Sequence, residues 1–540
     1  MISKIGVENN LSYSNIKNNK QDSKASPSFK GSALDAVLLA MQACERNPML
    51  NVTLIDMLSA ILPRTVIESF TNWFAGFEAL RRESSGLIVN CLIPGFITLG
   101  VAKVLNKSIM PKNIDMSTCW ADSNLVDHAS EIYKKSTSKD KVKDVLKDIL
   151  ENIEGFDGDK KVLYKTELSE QALEEYAAKL KELSVKDISR KDFKKNIAKI
   201  SDEIASKTHV FENIRIKNSK NVKASDLESL LNDTVKFFKE YQKTRKRLDI
   251  NEYTNLSKKL IKSKSLIGLG IVLPLAASMQ FINRKITEKI SGVKGAPIYK
   301  DFGKENKENS SNKDDTKAKE GLLRQKIISV ASMIGVGMLS MMKKPSFNML
   351  EFKGRFPTMD QARIISTTTF ASRMLVAEDK NELVETTYRD IATFLSLYFL
   401  GDYAAKATAT IVQKKKGIVL LNDTNPLEKS AGKLKKAWHW FKDVHIKSSK
   451  EVTSKTAKEL ADKNLKPNAN ELKKIQKELR TATNWRSGCQ FANLGVSLIL
   501  LGLIIPIVTR KNTEKKHTKE LNKAQCEVSS GNNTTLKLSA

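Results

Sequence analysis

Three long stretches without a charged residue constrain this chain more than anything else in it. Ser84 to Ala102 and Ser265 to Asn283 each hold nineteen consecutive uncharged residues, and Ser487 to Thr509 holds twenty-three. A helix needs roughly 20 apolar residues to cross a hydrocarbon layer about 30 Å thick. Lipid offers the backbone no hydrogen bonds, so such a stretch must satisfy its own peptide groups as a helix. Each run is bracketed by cations: Arg81, Arg82 and Lys103, then Lys262, Lys264, Arg284 and Lys285, then Arg486, Arg510 and Lys511. Long basic side chains at span ends reach the headgroups. Spans are expected at 84–105, 265–283 and 487–509. Two weaker candidates follow, at 327–342 (sixteen uncharged residues) and at 391–412, which Asp402 and Lys406 interrupt. The competing reading is a set of buried core helices in a large soluble fold.

A proline lies inside each strong run: Pro94, Pro274 and Pro506. It removes one backbone donor and kinks a helix. All three are candidate kinks, for a hinge or more simply for packing. The second and third share a Gly-x-x-x-Pro form, at Gly270–Pro274 and Gly502–Pro506.

The remaining sequence is polar and basic. The net charge of +30 suits a polyanionic partner. Residues 106–264 read as a soluble helical bundle or coiled-coil region. Val142, Val145, Leu146, Ile149 and Ile153 recur at helical spacing, as do Leu173, Tyr176, Leu180 and Leu183. No strand-like alternation of useful length is evident. A later helix is expected to open on Ser225-x-x-Glu228, and another on Thr358-x-x-Gln361 within a helical region at 346–389. Residues 33–83 read as amphipathic helices, 284–323 as a charged linker, and 1–32 and 510–540 as disordered polar tails. Residues 417–486 form a polar helical region. Within it, 432–447 sets Leu434, Trp438 and Phe441 on one helical face and lysines on others. A basic helix with a Trp/Phe/Leu stripe suits an anionic membrane interface; an ordinary amphipathic helix packed on its own domain is the alternative. The expected fold is therefore all-α: a multi-pass helical membrane protein with basic extramembrane helical domains.

Candidate sites are few. Asp402 and Lys406 lie four residues apart in an apolar stretch, so they share a helix face. With Asn90 they form a candidate intramembrane polar site, since ionisable groups at membrane depth are costly and often functional; the simpler reading is a half-buried helix on which Asp402 and Lys406 meet water or headgroups. Arg81, Arg82, Lys435, Lys436, Trp438, Trp440 and Phe441 are candidate membrane-interface residues. The five cysteines show no C-x-x-C spacing and the five histidines no ligand cluster. No phosphate-binding loop, dinucleotide fingerprint, H-E-x-x-H or nucleophile elbow occurs, so neither a metal nor a cofactor is expected and catalysis lacks support. No recognition module accompanies the charge, which disfavours nucleic acid.

Phe29-Lys30-Gly31 and Phe352-Lys353-Gly354 open two halves with a loosely similar order of elements. If 327–342 crosses, the second half of such a duplication is inverted, as in some transporters. Short phrases resemble those of bacterial membrane proteins to which no activity is attached, from non-photosynthetic relatives of cyanobacteria. They are Ser26 to Gly31, Arg82 to Gly86 ahead of Asn90-Cys91, Phe356 to Gln361, and Arg373 to Asp379. The resemblance implies class and compartment only, a bacterial inner membrane. The expected role is a non-catalytic anchor contacting anionic lipids or a protein partner. A transporter with a polar intramembrane site is the alternative, and a membrane-embedded enzyme ranks last.

Overall fold

The computed structural model describes residues 48–157, 161–300, 315–341, 347–423, 431–449 and 469–536, together with Met41, Phe302, 426–428 and 451–452. The expected tail at 1–32 and the Phe29-Lys30-Gly31 phrase lie outside the described residues, as do 301 and 303–314 of the expected linker; its two ends are not linker but helix, 284–291 closing one long helix and 315–323 opening the next.

The described elements open with α1 (Pro48–Ile55), a wide π turn (Asp56–Ile61) and α2 (Leu62–Ser69), which make one continuous helix. After a turn at 70–72 come α3 (Trp73–Leu87), a second π turn (Ile88–Leu92) and α4 (Ile93–Ile109). A globular insertion follows: α5 (Ser123–Lys135), α6 (Lys141–Asn152), β1 (Ile153–Asp157), β2 (Lys161–Lys165), α7 (Glu170–Val185), α8 (Arg190–Thr208), β3 (Glu212–Ile216), β4 (Ser219–Asp226) and α9 (Leu227–Gln242). The chain returns through α10 (Ile250–Ser291), then α11 (Asp315–Ser340) and α12 (Met359–Val376). Next come α13 (Lys380–Leu395), a third π turn (Ser396–Leu400) and α14 (Gly401–Lys416), followed by β5 (Leu421–Asp423), α15 (Lys433–Asp443) and β6 (Val444–Ile446). The last helix joins α16 (Ala469–Ser497), a π turn (Leu498–Ile504) and α17 (Ile505–Leu536). It carries on through residues expected to be a disordered tail. Helices α10 and α14 stop at Gly292 and Gly417. Both glycines adopt φ near +70°, a left-handed cap open to glycine.

Among the described residues, five helices are long and apolar enough to cross a membrane: Met49–Ser69, Trp73–Ile109, Ile250–Ser291, Lys319–Ser340 and Lys477–Lys523. They contain the three strong runs and residues 327–340 of the weaker run at 327–342. The run at 391–412 is not among them. Met49–Ser69 was expected only as part of an amphipathic region; Arg64, Glu68 and Asp56 dilute its apolar signal in the sequence.

Paired contacts give the helix directions. From α3 to α4, Arg81, Ser85 and Thr98 meet Thr287, Asn283 and Gly268, so α10 runs opposite to α3–α4. Gly86 and Asn90 meet Arg373 and Thr369, so α12 also opposes α3–α4. Phe370 and Ser366 meet Phe394 and Tyr398, so α13 opposes α12. The final helix runs alongside α1–α2: Gln490 meets Asn51, Gly502 meets Ser59 and Pro63, and Arg510 meets Glu68. The two halves thus point the same way. An inverted second half was the expectation if 327–342 crosses; α12, an extra pass back through the bundle, restores the parallel sense.

Three π turns stand immediately ahead of a proline. The N–H groups of Leu62, Ile93 and Ile505 bond five residues back, to the carbonyls of Met57, Ile88 and Leu500. Pro63, Pro94 and Pro506 come next. A proline ring clashes with the carbonyl four residues before it and donates nothing to it. Widening the preceding turn moves that carbonyl aside. Pro274, by contrast, sits within an unbroken α-helix.

The insertion is where the all-helical expectation needed refinement. Four strands form an antiparallel sheet in the order β2-β1-β3-β4. Ile153, Ile214, Ile216 and Val222 lie in one core with the apolar faces of α6 to α9. Strands this short, several of them rich in lysine, give no sustained alternation to read. The helix stripes expected here do line the core, Val145, Leu146, Ile149 and Leu180 among them. The opening of α9 differs by one residue: Asp226 caps it, accepting the Ser229 N–H at 2.7 Å. The Thr358–Gln361 capping box opens α12 as expected.

Candidate functional site

The long helices are arranged apolar side out. Phe96 is 67% exposed, Leu266 56% and Ile327 60%, and Leu503 and Val508 are similarly open. A set of charged residues points inward instead: Arg64 is 1% exposed and Glu83 5%, and Asp390 on the adjoining α13 is 0% exposed. Water favours the reverse distribution.

The inward charges meet in one layer. Glu83 is its centre, accepting Arg64 Nη1 at 3.3 Å, Arg82 Nε at 3.2 Å and Arg373 Nη2 at 3.0 Å. Arg373 Nη1 reaches Asp390 at 3.3 Å, and Arg389 Nε reaches the same carboxylate at 3.4 Å. Arg389 also pairs with Glu385 at 3.4 Å. A second focus is Glu68, approached by Arg510 at 3.3 Å, Arg82 at 3.7 Å and Arg389 at 4.0 Å. Beside these, Arg284 bridges Glu78 and Glu382. Arg64 Nη2 also donates to Thr393 Oγ1 at 2.5 Å. Arg64, Arg82, Arg284 and Arg510 each stand at one end of an apolar run, so the layer lies at one end of the apolar belt.

Both halves supply the layer with the same spacing of an acid, an arginine and a second acid. Glu78-x-x-x-Arg82-Glu83 follows the α3 cap Asn72, and Glu385-x-x-x-Arg389-Asp390 follows the α13 cap Asp379, each member 307 residues from its counterpart. The caps themselves clasp one segment: Asn72 Nδ2 donates to the carbonyls of Pro297 and Tyr299, and the Tyr299 hydroxyl meets Asp379 at 3.2 Å. Hydropathy does not reveal this layer, because Glu68, Glu385 and Asp390 lie outside the uncharged runs. The repeated Glu-x-x-x-Arg-acid spacing was the signal that could have found it.

The expected site residues are dispersed. Asn90 is buried and accepts the Thr369 hydroxyl at 2.8 Å, joining α12 to the π turn beneath α3. Lys406 is buried at α14, its ammonium 4.5 Å from the Trp440 ring and 3.3 Å from the Phe441 carbonyl. Asp402 is exposed, one turn away on the same helix. These three therefore form no common site. Arg81 donates to Thr287 Oγ1 at 2.6 Å and lies over the Phe77 ring. Arg82, expected at a headgroup, is instead buried in the charged layer, because Glu68 and Glu83 are close enough to hold it there. Lys435, Lys436, Trp438 and Phe441 are exposed on α15, and Trp440 turns inward to donate to Thr410 Oγ1 at 3.0 Å.

A second polar locus mounts the insertion on the bundle. Glu351 is fully buried and accepts both the backbone N–H and the hydroxyl of Ser123, at 2.9 and 2.6 Å. Burial raises its carboxyl above the usual range, and the Ser123 hydrogen bonds oppose this. Lys353 reaches Asp122 at 3.0 Å beside a small cleft that Trp120, Val222 and Asp233 also line. Burial pushes Asp233 up to about 6. Lys264, expected at a span end, is instead buried, donating to the Cys119 carbonyl at 2.5 Å over the Trp120 ring. No group of three or more histidine, cysteine or acidic side chains able to hold a metal occurs among the described residues.

Comparison with protein-family models, curated proteins and solved structures gave no match.

Proposed function

We propose that this protein is a multi-pass membrane protein that mounts a globular domain rigidly against one face of the bilayer, as a non-catalytic scaffold. The observation that carries the reading is the inverted distribution of polarity: apolar side chains cover the outside of the long helices while arginines and carboxylates pack between them. Lipid makes that arrangement favourable, since buried ionisable groups in spans face the bundle and pair with one another. The rigid mount is supported by α10. One unbroken helix carries Tyr253 and Leu260 in the core of the insertion, then Leu269 and Val272 among the apolar helices. Glu351 and Lys353 add polar clamps from a second segment. A flexible tether would need neither. In keeping with the resemblance, a bacterial inner membrane is the proposed compartment.

Fractionation tests the class. The full chain is expected to pellet with membranes and to stay there through alkaline carbonate, dissolving only in detergent. Recovery in the aqueous supernatant without detergent would refute the proposal.

The charged layer supports a second reading, passage of a polar solute. Among the described residues, Arg510 places three guanidinium nitrogens out of hydrogen-bond alignment with any partner, and Asp390 Oδ2 and Glu385 Oε2 lack one too. Buried donors and acceptors of both kinds invite ordered water. Radiolytic hydroxyl labelling at Glu83 and Asp390 would favour this reading; full protection there would favour a dry lock.

A further inference from the structure

Helix α15 is amphipathic yet buries none of its residues. Leu434 is 88% exposed, Trp438 69% and Phe441 51%, a stripe left open on one face. Lys433, Lys435, Lys436 and Lys442 are exposed around it. An amphipathic helix packed on its own domain would hide that stripe.

The helix is nevertheless fixed in place. Trp440 donates to Thr410, the Lys406 ammonium sits on the Trp440 ring, and the Tyr403 and Phe441 rings meet edge to face at 5.3 Å. At its far end, β6 pairs with β5, and the next residue, Lys447, gives its carbonyl to the Arg486 guanidinium. Arg486 immediately precedes the uncharged run of the last helix. Helix α15 is therefore held at the level where the apolar belt ends. This is the end that carries the insertion, because the insertion leaves α4 and enters α10 on the side towards which α13–α14 also runs.

We infer that α15 lies in the headgroup region of an anionic leaflet, its Leu434, Trp438 and Phe441 stripe entering the acyl boundary and its lysines meeting lipid phosphates. This deepens the scaffold reading and rests on it. Two features select lipid as the occupant. The stripe adjoins the end of an apolar belt, and four lysines flank three large apolar side chains, the composition that partitions into a charged interface. Each lysine near an anionic surface adds roughly fivefold to the partition.

The test uses the full chain reconstituted in phosphatidylcholine vesicles with and without phosphatidylglycerol. Wild type is compared with W438F, so that the difference in emission isolates Trp438 among the five tryptophans. Lipids carrying a quencher near the headgroup are expected to quench that difference in anionic vesicles, and aqueous acrylamide to quench it weakly. The double variant K435E/K436E should weaken the lipid quenching by roughly tenfold or more in anionic vesicles. Three results would overturn the inference: Trp438 open to acrylamide in both compositions, Trp438 shielded from both quenchers by another segment or partner, or equal lipid quenching with and without anionic lipid. Flotation of the same samples keeps the two proposals apart. Protein that floats with Trp438 in water refutes only the docking, whereas protein that fails to float refutes the membrane reading itself.

Discussion

At the scale of single residues, Glu83 and Asp233 show opposite consequences of burial. Glu83 has three guanidinium groups within 3.3 Å, from two segments more than 280 residues apart. Removing one member of a buried ion set leaves uncompensated charge, at about 3–5 kcal/mol. Glu83→Gln is expected to destabilise the detergent-solubilised chain by an amount of that order in thermal unfolding, and E83Q/R373M to recover part of it because a neutral pair carries no such penalty. An unchanged midpoint for Glu83→Gln would show that the layer is not energetically coupled. Asp233 lies in the insertion, where burial raises its carboxyl from 3.8 to about 6 against the opposing Trp120 N–H, Lys236 and Lys264. Between those values the folded form holds more proton than the unfolded form. Stability therefore falls as pH rises from about 4 to about 6 and is level above that. Asp233→Asn should flatten this segment of the stability profile, measured by thermal unfolding across the range; an unchanged slope would place the titration elsewhere.

At the scale of elements, the π turns decide how helices meet. The wide turn before Pro63 and the one before Pro506 face each other. A Cβ added at Gly502 would lie 2.8 Å from the Ser59 carbonyl and 2.9 Å from Pro63 Cγ. The obstacles are backbone and a ring, neither of which can swing aside. Gly502→Ala is expected to destabilise by about 1–3 kcal/mol through overpacking, whereas Gly100→Ala, with nothing within 4 Å, should be neutral or stabilising. Equal unfolding midpoints for the two variants would contradict the close approach. Here the Gly-x-x-x-Pro form seen in the sequence acquires a purpose in one copy: in the last helix, its glycine admits the neighbouring backbone. Pro274 has no such turn, so the shared spelling does not guarantee shared geometry.

For the whole molecule, helix direction makes a topological prediction. The turn at 70–72, the turn at 377–379 and the residues after Arg510 belong to one end of the bundle, and the insertion at 110–249 and α15 to the other. Reporter fusions or cysteine accessibility should place 70–72 and 377–379 on one side of the membrane and 110–249 with 432–447 on the opposite side. The insertion and α15 appearing on different sides would break the parallel arrangement of the two halves. That arrangement was only partly legible beforehand. The repeated Phe-Lys-Gly phrase suggested two halves, but the direction of the second turned on α12. That helix is broken by Arg363 and Arg373 and by threonines and serines, so hydropathy does not mark it. Its place is between other helices, where Thr369 meets Asn90 and Arg373 meets Glu83, and polarity is tolerated there because partners are at hand.

The amino-acid order alone determined that long helices exist and where most of them run. Twenty apolar residues in succession have few alternatives, and periodic stripes such as Val145–Ile149 place one face inward. It also fixed the capping of α12, since Thr358 and Gln361 satisfy local backbone donors. Only the folded chain decided which charges are paired, that Arg82 and Lys264 turn inward while the stripe of α15 stays open, and that four short strands join in a sheet. Those outcomes depend on partners distant in sequence. Local pattern reports what a segment can bury, and tertiary contact decides what it buries it against.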